Sequence, residues 1–160
     1  MGTPAVARRV VALLMLAALV AGCGADTKGD FVARANAICA STVRETRSIA
    51  PPSFTHSKAQ QLRALAGYLA SVLPVVQSEA TQLHALRRPT EVAHDRAALA
   101  RYLSAVTQVL GDYRELAAAA KRGDARGVAS AEAALRASPV TSLAAAYGLR
   151  SCGSPGATVA

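Results

Sequence analysis

The sequence predicts an all-α fold: an antiparallel helical bundle built on a long helical hairpin, with one helix before it and two short ones after. Three observations carry this. Alanine, a strong helix former, is abundant in a chain that is 52% hydrophobic and only 4% aromatic. Two long segments carry apolar residues at the 3–4 residue spacing of a helix face. No run alternates apolar and polar side chains long enough to read as a strand.

The chain opens on a segment of a different kind. Arg8 and Arg9 precede an apolar run from Val10 to Val20, and Val20-Ala21-Gly22-Cys23 then sets a cysteine directly after small residues. The run is too short for a helix crossing a bilayer, which needs about 20 apolar residues, and has the layout of a secretory signal. The last four residues resemble a bacterial lipobox. That resemblance implies that residues 1–22 are removed as a signal peptide. It also implies that Cys23 carries thioether-linked diacylglycerol and, on its amine, a fatty acyl group such as palmitate. The mature protein would then be extracytoplasmic and anchored to the cell membrane by lipid. Residues 23–30 read as a lipidated tether whose polar part, Gly24 to Asp30, spans about 25 Å when extended.

The bundle domain is expected over 31–150. A first helix, 31–49, places Phe31, Val32, Ala35, Ile38, Cys39, Thr42 and Val43 on one face and ends at Pro51-Pro52. Ser57-x-x-Gln60 resembles a capping box opening a second helix that runs to about Arg87. Its stripe is Leu62, Leu65, Leu69, Val72, Val76, Glu79, Leu83 and Leu86. Pro74 lies inside this pattern and should kink the helix. Arg88-Pro89-Thr90 reads as a tight turn with Thr90 as N-cap. The third helix, 91–122, shows Val92, Arg96, Leu99, Leu103, Val106, Leu110, Tyr113, Ala117 and Ala120. Reflected about the turn, the two stripes match: Leu83 faces Val92, Val76 faces Leu99, Val72 faces Leu103 and Leu65 faces Leu110. The one polar rung sets Glu79 against Arg96. Gly123-Asp124 closes this helix and caps a fourth, 125–137, showing Val128, Ala131 and Leu135. Ser138-Pro139 is an N-cap followed by Pro at N1. It opens a fifth helix, 139–148, ended by Gly148. Residues 151–160 form a tail that contains Cys152.

Cysteine count and charge narrow the function. Of three cysteines, lipidation takes Cys23. The remaining two, Cys39 and Cys152, are expected to form a disulfide, since exported proteins live where such bonds persist. Net charge is +8, scattered without a run of five or six, which suits an anionic leaflet or cell-wall polymers. Without an arginine–aromatic patch, nucleic acid is not expected as a partner.

Catalysis is not expected: no nucleophile has a positioned base, no loop is built to cradle phosphate, and no close acid pair appears. No cofactor or metal site is expected either. His84 and His94, near Glu91 and Asp95, fall off the apolar stripes, and His56 stands alone. Glu79, an acid on an apolar stripe, reads either as a structural ion pair with Arg96 or as a buried acid in a cleft; the pair is the favoured reading.

Three segments widen the resemblance: Arg34-Ala35-Asn36-Ala37-Ile38-Cys39-Ala40-Ser41-Thr42, Arg122-Gly123-Asp124, and Ala146-Tyr147-Gly148-Leu149-Arg150-Ser151-Cys152-Gly153. They resemble small helical lipoproteins of high-GC Gram-positive (actinobacterial) bacteria, mostly uncharacterised in function. The resemblance implies fold and location and supplies no catalytic residue. The expected function is a non-catalytic, lipid-anchored interaction module near the outer face of the cytoplasmic membrane, with an envelope protein as its partner. The alternative is a small-ligand carrier, for lipid or metal, using a cavity between the helices. The long alanine faces leave little room for such a cavity and favour the first.

Overall fold

The computed structural model describes residues 26–53, 57–90 and 92–152. The signal segment, Cys23, His56, Glu91 and the tail beyond Cys152 lie outside the described residues. Those described form five helices and no strand: α1 (Lys28–Ser48), α2 (Lys58–Ala85), α3 (Ala93–Arg122), α4 (Ala125–Ala137) and α5 (Val140–Tyr147). The long α2–α3 hairpin is the frame. α1 packs on α2, α4 folds back along the end of α3, and α5 packs on the beginning of α3.

Each helix begins and ends for a local reason. α1 starts three residues earlier than its apolar face suggests, because Thr27 and Asp30 form a reciprocal capping box. The Thr27 N–H donates to Asp30 Oδ2 at 3.1 Å and the Asp30 N–H to Thr27 Oγ1 at 3.2 Å. The Thr27 hydroxyl, which donates to Asp30 Oδ2 at 2.7 Å, and then the Thr27 N–H hold the Asp30 carboxyl below its usual pKa. The expected tether, read as reaching Asp30, thus gives up its last three residues, 28–30, to α1. Ser57 and Gln60 form the box expected for α2. Pro74 sits mid-helix, where the carbonyl it leaves without a partner, that of Ala70, lies on the exposed face.

α3 begins after Val92, not Thr90. It closes on Gly123 at φ 71°, a left-handed position that suits glycine, with the Asp124 N–H reaching back to the Ala119 carbonyl at 2.9 Å. Asp124 then caps α4 through the N–H groups of Arg126 and Gly127. The Ser138 hydroxyl accepts from the Val140 N–H. Gly148, at φ 98°, ends α5, and the Leu149 N–H bonds the Ala144 carbonyl at 2.8 Å. That last bond turns Leu149 inward, where it is fully buried.

The core lies in two halves. One joins Phe31, Ala35 and Cys39 of α1 to Leu83, to Leu99, Tyr102 and Leu103 of α3, and to Ala144, Tyr147, Leu149 and Cys152. The other joins Leu69 and Val72 of α2 to Tyr113, Leu116, Ala119 and Ala120 of α3 and to Val128 and Ala131 of α4.

These groupings overturn the expected hairpin register. Val72 and Leu103, expected to face each other, belong to different halves. His84 Nε2 lies 3.0 Å from Thr107 Oγ1, whereas the reflected stripes would place His84 level with residue 91. The helices are thus slid past each other by more than a heptad. Val92, expected opposite Leu83, is the N-cap of α3 and 71% exposed. The cause is the connection. Residues 86–92 are not a tight turn but a seven-residue link, able to span about 23 Å, so the first turns of α3 stand beyond the last residue of α2. There they pack on α1 and α5 instead.

Candidate functional site

The end of the bundle where the chain enters is tied by charge. Asp26, the first described residue, accepts from Arg34 of α1 at 2.9 Å and lies 3.7 Å from Arg87 after α2. Lys28 Nζ pairs with Asp95 in the first turn of α3 at 2.9 Å and stands 4.7 Å above the Tyr147 ring. Tyr147 meets Phe31 edge to face, ring centroids 5.9 Å apart. Single exposed pairs contribute little. These, however, converge on one pole: Asp26 ties the entering segment to α1 and to Arg87 beyond α2, and Lys28 ties α1 to α3 and stands against Tyr147 of α5.

Just above that pole, Cys39 and Cys152 meet at disulfide distance, Cα atoms 5.1 Å apart and both sulfurs inside the core. The last described turn is also held by the Ser151 N–H, which donates to Asn36 Oδ1 at 2.8 Å. Both anchoring side chains, Asn36 and Cys39, lie on α1 within the Arg34–Thr42 segment.

Glu79 is the most unusual acid. Its expected partner is not there: Arg96 is exposed in the first turn of α3, and no ion pair joins the two among the described residues. The slid register explains this, since it carries Arg96 past the end of α2. Burial alone pushes the Glu79 carboxyl up to about 7. Tyr102 is near enough to feel its charge. Burial first, and Glu79 second, raise the Tyr102 phenol above its usual range. Tyr102 falls one residue off the expected stripe, which is why sequence reasoning missed it. A second acid, Asp112, has Oδ2 shut off from solvent without a hydrogen-bond partner. Burial, then the Glu115 charge, raise its pKa.

The histidines are separated. His84 is exposed and bonds Thr107, and His94 is exposed with Asp95 4.0 Å away. Among the described residues, no three of His, Cys, Asp and Glu group in a way that could hold a metal ion, and no helix is long and apolar enough to cross a membrane. A concave feature around Pro74, lined by Leu73, Pro74, Gln77, Ser78, Thr81 and Gln82 of α2, is an open depression and not a chamber between helices. The described residues offer an ion-paired pole, a buried core and charged surfaces, and among them no reacting group is brought together with a base or an oxyanion donor. No family model matches the chain, and no curated protein or solved structure matches it at a significant level.

Proposed function

We propose that this chain is a non-catalytic, lipid-anchored interaction module that sits close to the outer face of the cytoplasmic membrane in the cell envelope. The observation that carries the reading is the attachment. Cys23, the lipobox residue, lies three residues before Asp26, and Asp26 is ion-paired to Arg34 and Arg87 at one pole of the bundle. A lipid on Cys23 would leave only about 14 Å of free chain before α1 begins. The module would therefore be held near the bilayer by one defined end, with its other surfaces free for partners.

The decisive experiment is metabolic labelling with a fatty acid in an actinobacterial host, comparing the parent chain with Cys23→Ala. The parent is expected to take up label and fractionate with membranes; Cys23→Ala is expected to do neither. Label retained by Cys23→Ala would end the lipoprotein reading. A stoichiometric non-covalent lipid recovered from the Cys23→Ala bundle by mass spectrometry would instead favour a carrier.

A further inference from the structure

Cations gather at both poles of the bundle. At the tether pole, Lys28, Arg34 and Arg87 are ion-paired, while Arg88 and Arg96 there are exposed without an ion pair among the described residues. At the opposite pole stand Lys58 and Arg63 of α2, Lys121 and Arg122 at the end of α3, and Arg126 in the first turn of α4, all exposed. None of these five makes an ion pair or side-chain hydrogen bond among the described residues. Packing brings them to one end. Leu62 and Leu65 lie against the core half that contains Ala119, Ala120 and Val128, and the His84–Thr107 contact draws α2 level with the end of α3 within its first three turns. The acid in their midst, Asp124, has one oxygen engaged in capping α4.

Lys121 and Arg122 have an ordinary explanation, since cations suit the negative end of a helix dipole. Lys58 and Arg126 do not. Each sits at a helix N-terminus, where the dipole is positive and acids are favoured, and neither α2 nor α4 has an acid in its first turn. The fold thus holds two like charges against the local field beside three more, a concentration of positive potential that a bound anion would relieve. Among the described residues this pole shows no widely exposed large apolar side chain; the one that is, Val92, is at the other end. Aromatic and apolar anchors are the usual hot spots of protein interfaces.

We infer that this pole is a docking surface for a phosphate-bearing anionic polymer lying outside the bilayer, gripped by Lys58, Arg63, Lys121, Arg122 and Arg126. The choice of a polymer over lipid headgroups rests on the proposed anchorage. With Cys23 in the membrane, the tether pole faces the bilayer, and α3, 30 residues long, sets the far pole about 45 Å away.

The test uses long-chain inorganic polyphosphate as the probe and the full chain in neutral detergent. Affinity is measured by fluorescence anisotropy over a salt series for the parent, for Lys58→Glu/Arg63→Glu/Arg126→Glu, and for the charge-matched control Arg88→Glu/Arg96→Glu/Arg101→Glu. The far-pole triple should lose about tenfold or more in affinity and flatten the log–log salt dependence by about two to three charges. The control should lose less than about threefold. Lys58→Glu and Arg126→Glu place acids where the α2 and α4 dipoles favour them, and Arg63→Glu changes an exposed position beyond the first turn, so the triple should melt at or near the parent temperature, which separates lost binding from lost folding. Equal losses from both triples would reduce the effect to net charge and overturn the inference. So would a parent that ignores polyphosphate, or one that prefers anionic phospholipid vesicles to it. Repeating the measurement on Cys23→Ala keeps the two readings apart, because polymer binding does not need the lipid.

Discussion

At the scale of single residues, Glu79 makes the sharpest claim. Its carboxyl has a pKa near 7 in the fold against a usual 4.5, so the folded state holds a proton that the unfolded chain has already released. The contribution of Glu79 to stability should therefore be greatest below about pH 4.5, fall as pH rises through the interval to about 7, and level off above it. The full shift corresponds to about 3 kcal/mol. Glu79→Gln should remove this slope: near the parent in urea denaturation at pH 4.5, more stable by about 2–3 kcal/mol at pH 8. A parent slope that survives the substitution would place the effect on another group, Asp112 first. That Glu79 was out of place could be read from the sequence, because an acid interrupting Leu and Val at helical spacing stands out. Its surroundings could not, because Arg96 and Tyr102 trade places as neighbours when one helix slides along another. The Thr27–Asp30 cap was legible in principle and was overlooked because Gly29 between them looks like tether.

Helices, and the joints between them, carry different information. Gly123, Asp124 and Gly148 announced their roles, since few residues suit a left-handed cap or bond two free N–H groups at a helix start. The α3–α4 joint is tighter than the sequence suggests. A Cβ on Gly127 would come within 2.5 Å of Asp124 Oδ2 and 3.0 Å of the Ala119 Cβ. Alanine favours a helix interior over glycine by about 1 kcal/mol, yet Gly127→Ala should destabilise the protein by about 1–2 kcal/mol, because it displaces the capping carboxylate. Thermal melts of Gly127→Ala and Asp124→Ala, singly and together, should show less than additive losses. The hairpin register was not legible for a plain reason: stripes that repeat every seven residues match again at each heptad, and the apparent centre at Arg88-Pro89-Thr90 selected the wrong match. Oxidative crosslinking of His84→Cys with Thr107→Cys should succeed, and that of Val72→Cys with Leu103→Cys should fail.

For the whole molecule, the Cys39–Cys152 pair matters most. The two residues are separated by 113 positions, and in the chain-entropy account a closed loop of that size stabilises by about 4–5 kcal/mol before native strain. That is a large part of the stability of a small domain. Guanidinium unfolding should show a lower midpoint for Cys152→Ser, and adding reductant should move the parent to the same place. The pairing was foreseeable from cysteine count and proposed compartment. The division of the core into two halves was not, since it depends on how far α3 overshoots α2.

That division has a consequence for how the protein is made. The half of the core around Phe31 and Cys39 is completed by Ala144, Tyr147, Leu149 and Cys152, from the far end of the chain. A ribosome delivers the first group long before the second, so this half waits with its apolar face uncovered while the α2–α3–α4 half, built from neighbouring segments, already has all its parts. A chain cut short between Leu135 and Ala144 would keep that second half and leave Phe31 bare and the Cys39 thiol single. Such a fragment would be marked for thiol capture or proteolysis by its own unfinished surface.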